Sequence, residues 1–167
     1  PTIITAPYLL EELWALCGRR LAQDVDLRAL DPFYRIRFDD GEEMVATADL
    51  AAMRAEVARI SPSDVAGFDR FMRDSKAIYD VAFVEMVDQP FHKLKTLFRS
   101  VPDLIRLQGY RSVFAKVSDY FQHPKLRVAF SFHPLLIGGN PLTTTAYYCL
   151  VGHLERTHGV HFAMGGM

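Results

Sequence analysis

Apolar residues recur at two periods along this chain, and each period predicts a kind of element. Thr2-Ile3-Ile4-Thr5 reads as a short strand. From Tyr8 to Leu16 the spacing is helical, with Leu9, Leu13, Trp14 and Leu16 to one side and Gly18 as the stop. Phe33 to Phe38 alternates and predicts a half-buried strand. Asp39-Asp40-Gly41-Glu42 is then a hairpin turn and Met44-Val45-Ala46 the return strand. Asp49 caps a helix to about Ile60. Ser61 as N-cap, Pro62 at the first helical position and Asp64 near the positive helix end open the next helix, which runs to about Met86. Its buried side carries Val65, Phe68, Phe71, Met72, Ile78 and Phe83.

The second half reads as helical throughout. Lys93 to Arg99 is a short helix. Asp103 to about Phe121 is a longer one, with Leu104, Leu107, Tyr110, Phe114, Val117 and Phe121 at three- and four-residue steps. Pro124 starts another, which Pro134 bends. After Gly138-Gly139, Asn140 as N-cap and Pro141 start the last helix, which runs to about His158 before Gly159. Val160 to Ala163 closes as a strand. The pattern predicts an α+β fold, mostly helical with a small antiparallel sheet. Strands at both ends suggest an insertion between two parts of a larger sheet, with 1–167 as a single domain. Exposed strand edges there would favour homo-oligomers.

Composition narrows the picture. Half of the 167 residues are apolar, and 12 Phe and 7 Tyr are among them, enough for a real core. No run approaches the length of a membrane span, and no signal peptide is visible. Cys17 and Cys149 read as buried free thiols, consistent with a cytoplasmic setting. Residues 1–90 carry 10 Lys and Arg against 17 Asp and Glu, whereas 91–167 carry 9 against 3. Either one face prefers an anionic surface, or the two halves pair with each other.

The chemistry on offer is sparse. Between Phe91 and Val117, Lys93, Lys95, Arg99, Arg106, Arg111 and Lys116 face a single acid, Asp103, with Phe98 and other apolar residues threaded between. That suits a helix lying in a membrane surface, and equally a core-facing stripe with a solvated basic face. No nucleic-acid motif accompanies it. His153, His158 and His161 fit no standard metal set, so no metal is expected. There is no nucleophile elbow and no G-x-G-x-x-G fingerprint. The apolar loop from Ser131 to Pro141 should instead line a greasy pocket or tunnel.

Several stretches together resemble the bacterial-type phytoene desaturases, FAD-dependent carotenoid enzymes. These are Pro1-Thr2-Ile3-Ile4-Thr5, Asp31-Pro32-Phe33-Tyr34-Arg35, Tyr110 to Val117, Phe130 to Pro141, and Leu154 to Val160. They follow the family's order and cover essentially the whole chain. The resemblance implies the insertion, or substrate and membrane-docking, domain of a Rossmann-type flavoprotein, whose flavin domain would lie outside these residues. Thr2, Gly165 and Gly166 would then pass close to the flavin, although Ala163-Met164 replaces the family's usual Pro-Arg before that Gly pair. The isolated segment would hold no FAD and be inactive. Phe130, Phe132, Leu135, Leu136, Ile137 and Tyr147 would line the tunnel for a long isoprenoid, and Lys93, Lys95, Phe98, Arg99, Arg106 and Arg111 would dock on the cytoplasmic membrane. His133 is a candidate proton acceptor, or it satisfies a helix end. A self-standing isoprenoid-binding or peripheral membrane module without redox activity is the alternative, and another polyene or an amine is an alternative substrate.

Overall fold

In the computed structural model, the described residues are 3–85 and 101–166. In chain order the main elements are β1 (Ile3–Ile4), α1 (Pro7–Leu16), β2 (Leu27–Ala29), β3 (Tyr34–Arg37), β4 (Glu43–Ala46), α2 (Leu50–Ile60), α3 (Val65–Tyr79), α4 (Val113–Val117), α5 (Pro124–Ser131), α6 (Val151–His158) and β5 (His161–Ala163). Residues 101–106 are also helical. The fold class is α+β, as the pattern predicts. The residues group into two compact units, one holding the chain up to Met53 and from Leu154 onward, the other Arg54–His153.

In the first unit, β5 lies between β1 and β2 and runs antiparallel to both. Ile3 faces Phe162 across one ladder and Arg28 faces Phe162 across the other. The early and late parts of the chain thus share one sheet. β2 has no signal in the sequence, because three residues are too few to show alternation. Its flanks are held by Leu30 N–H donating to the Val160 carbonyl (2.8 Å) and Met164 N–H donating to the Asp26 carbonyl (2.9 Å). β3 and β4 pair as the predicted hairpin, with Tyr34 opposite Ala46 and Arg37 opposite Glu43. Phe33, Met44 and Ala46 are buried behind it.

The apolar side of α1 differs from its prediction. Leu9, Leu13 and Leu16 are exposed and no residue of α1 is buried. The helix is anchored at its polar edge, where the Trp14 indole donates to Asp24 (2.8 Å).

The second unit is built on α3. Asp49 caps α2 as predicted, accepting from the Ala51 (2.7 Å) and Ala52 (3.2 Å) amides. Ser61 makes no capping bond; its hydroxyl meets that of Ser63 instead (3.1 Å). Asp64 does not serve its own helix either. It is buried and accepts from the Gln122 (2.8 Å) and His123 (2.9 Å) amides, which stand just before α5. Phe68 and Phe71 project into a cluster of rings with Phe121 and Phe130, in which Phe121 and Phe130 stack at 4.6 Å. On another side of α3, the Ser75 hydroxyl donates to the Cys149 carbonyl (2.6 Å) and accepts from the His153 amide (2.9 Å). The helix loosens into a π-helical turn over Asp80–Glu85.

The predicted helix from Asp103 to Phe121 is broken. Gln108 takes a left-handed conformation (φ 56°), and α4 begins afresh with Ser112 as its cap, accepting from the Ala115 amide (3.2 Å). The break has a tertiary cause, because segment 109–114 is stitched to 141–146. Val113 N–H donates to the Thr144 carbonyl (2.9 Å), Ala146 N–H to the Arg111 carbonyl (2.8 Å), and the Thr145 hydroxyl to the Gly109 carbonyl. The predicted last helix is shortened by the same stitching. Residues 141–143 form a turn on Asn140, and Thr145 caps a 3-10 turn over Ala146–Leu150 that leads into α6.

Of the two cysteines, Cys149 is buried as predicted but Cys17 is exposed, at the C-cap of α1. Burial pushes the Cys149 thiol up to about 12, partly offset by the nearby Lys116 charge. In the native protein at neutral pH, a thiol reagent should therefore modify Cys17 within minutes and Cys149 only on unfolding. Two equally fast thiols in a mass-spectrometric time course would contradict this burial.

Candidate functional site

α5 buries Leu126, Ala129 and Phe130 and ends at Phe132. A tight 3-10 turn over His133–Ile137 follows, rooted by the buried His133 and Pro134 and closed by Gly138 at φ 74°. The side chains beyond this buried root are nevertheless exposed. Leu135, Leu136 and Ile137 are 60%, 43% and 61% exposed, and Leu142 beyond them is 62% exposed. The prediction that this apolar loop is covered is not met. Phe132 lies half-buried on the His133 ring (4.5 Å). Tyr147 is half-buried, its ring within 2.7 Å of where a side chain on Gly109 would start, and burial pushes its phenol above the ordinary range. Phe130, expected on the tunnel wall, is buried in the ring cluster with Phe68, Phe71 and Phe121.

The basic residues divide in the same way. Lys93, Lys95, Phe98 and Arg99 lie outside the described residues. Arg106 is exposed and pairs with Asp103 (2.9 Å). Arg111 is not a free surface charge. It donates to Asp119, to Gln108 Oε1 (2.8 Å) and to the Ala115 carbonyl (3.0 Å), clamping the 108–119 turn. The Arg111 hydrogen bond holds the Asp119 carboxyl below its usual range.

Sequence reasoning did not foresee the burial of two charged groups, Lys116, which it counted in the basic segment, and Glu155. Lys116 is buried and donates to the Leu107 carbonyl (3.0 Å), and burial pushes its pKa down. Glu155 is buried in the first unit and accepts from the Tyr34 hydroxyl (2.8 Å), whose pKa is driven up by burial and then by the Glu155 charge. The signal was present in both cases. Lys116 falls three residues after Val113, and Glu155 four after Val151, so each lies on the apolar stripe of its own helix.

Among the described residues, no group of three His, Cys, Asp or Glu side chains could hold a metal ion. No helix of the described residues is long and apolar enough to cross a membrane. After β5 the chain turns through Gly165 and Gly166 at φ 85° and 82°. A side chain built on Gly165 would meet nothing within 4 Å. The backbone at Gly165 is open and carries no side chain, so a flat ring could approach it closely. Thr2 lies outside the described residues.

No protein-family model matches the chain. It is 47% identical over 167 residues to a neurosporene-forming phytoene desaturase of Rhodobacter capsulatus, covering 100% of this chain and 32% of that protein. A second neurosporene-forming phytoene desaturase, from Cereibacter sphaeroides, is 42% identical over the same span and share. A lycopene-forming phytoene desaturase of a Paracoccus species is 40% identical over 166 residues, 99% of this chain and 33% of that protein. From end to end, the chain is related to the phytoene desaturases. It spans about one third of the length of these relatives. Phytoene desaturases are oxidoreductases of carotenoid biosynthesis, and the segment they share with this chain includes the outward apolar loop, the ring cluster and the Gly165-Gly166 turn.

Proposed function

We propose that this chain is the substrate-binding and membrane-docking part of an FAD-dependent phytoene desaturase, inserted into a Rossmann-type flavin domain. The observation that carries the reading is the identity of 47% sustained over the whole chain. The placement of β1 and β5 side by side in one sheet supports the insertion, because it lets the chain leave a larger fold and return to it at one place. When bound, FAD supplies a hydride acceptor for dehydrogenation of an apolar polyene. The chain's own contribution is to hold Gly165 and Gly166 at the end of β5, free of side chains, and to offer apolar surface to an apolar substrate. A substrate that dissolves in lipid suits a peripheral site on the membrane, which this reading puts on the cytoplasmic face.

A chimera tests this reading. The chain replaces the matching third of the Rhodobacter capsulatus relative, in cells that make phytoene. Coloured, conjugated products in the lipid extract are the expected result. A chimera that accumulates as folded, flavin-coloured protein and leaves phytoene unchanged would overturn it.

A further inference from the structure

We propose that the edge of the second unit formed by Leu135, Leu136, Ile137 and Leu142 enters the lipid. This rests on the membrane part of the reading above and names the surface that performs it. Three observations converge. First, the loop presents four large aliphatic side chains outward from a turn whose root, His133 and Pro134, is fixed in the core. Second, the neighbouring segment adds to it. Backbone bonds tie 111–114 to 141–146, and Ile105 and Tyr110 on that side are also exposed. Third, the stretch of chain that carries the loop has charges of one sign. From Tyr120 to Leu154 there is no Asp or Glu, while Lys125 and Arg127 are present. An apolar edge carried by an acid-free, weakly basic stretch of chain suits an anionic bilayer, where aliphatic residues insert and cations stay at the headgroups.

The test uses the 167-residue chain and sedimentation with vesicles of phosphatidylcholine alone or mixed with phosphatidylglycerol. The wild-type chain should sediment with the mixed vesicles more than with the neutral ones. The double variant Leu135→Ser/Ile137→Ser should lose binding by roughly a hundredfold, tenfold for each side chain. Because both side chains are exposed, its circular dichroism should match the wild type. Lys125→Gln should weaken binding to the anionic vesicles only. Binding unchanged in the folded double variant would overturn the inference and leave the membrane reading standing. Failure of the wild type to bind either vesicle would overturn both. A wild-type dimer in analytical ultracentrifugation that the double variant abolishes, without vesicle binding, would assign the edge to a second copy of the chain and overturn the lipid proposal.

Discussion

Gly67→Ala should destabilise the protein by roughly 3–5 kcal/mol, although Ala is the better helix former. Gly67 is the third residue of α3, in its first turn. Propensity alone would give a gain of about 1 kcal/mol for this change. A Cβ at this position would stand 1.9 Å from the Tyr120 carbonyl oxygen and 2.9 Å from its carbon. The obstacle is backbone, so no rotamer relieves it, and α3 must move away from the turn before α5. That turn is pinned on three sides. Asp64 holds the Gln122 and His123 amides, the Tyr120 hydroxyl donates to Asp74 (2.8 Å), and Phe121 is fully buried against Phe71 and Phe130. Separation by an ångström or more would strain or break several of these contacts together. Urea unfolding followed by far-ultraviolet circular dichroism gives the answer by sign alone. A midpoint at or above that of the wild type would show that α3 and the 118–121 turn are not in this close contact.

Asp64→Asn should cost about 3 kcal/mol at neutral pH, and the cost should shrink in acid. The carboxylate accepts two backbone N–H bonds that have no other acceptor in view. An amide can present only one oxygen, so its NH2 group would face one of the two donors. Burial works against the charged carboxylate, but the amides of Gln122 and His123 and the Ser61 hydroxyl outweigh it and hold the pKa below its ordinary value of 3.8. A carboxyl with a depressed folded-state pKa stabilises the protein fully above its unfolded-state value. That contribution is lost as pH falls through the folded-state value. The stability difference between wild type and Asp64→Asn should therefore be constant from neutral pH to about 5 and should narrow below about 4. A gap that stays constant into strong acid would mean that the carboxylate charge is not what Asp64 contributes.

What the sequence determined by itself was whatever a few consecutive residues decide. The Asp39–Glu42 turn, the Asp49 cap, the Pro124 start of α5 and the stop at Gly18 rest on bonds between near neighbours, and each formed where its residues stand. The relationship to the phytoene desaturases was legible in the same way, because it lies in the order of the residues. The tertiary structure alone decided the features that depend on a distant partner. Gln108 and Gly109 end a helix whose spacing was unbroken because Thr144 and Thr145 claim the backbone there. Asp64 turned from its own helix to amides 58 and 59 residues away. Lys116 and Glu155 are buried because the surfaces they face, around Leu107 and Tyr34, are assembled only by folding. The apolar run from Leu135 to Ile137 told the same story in reverse. Periodicity says how apolar a loop is, and only the packing of the folded chain buries His133 and Pro134 while it leaves Leu135, Leu136 and Ile137 exposed.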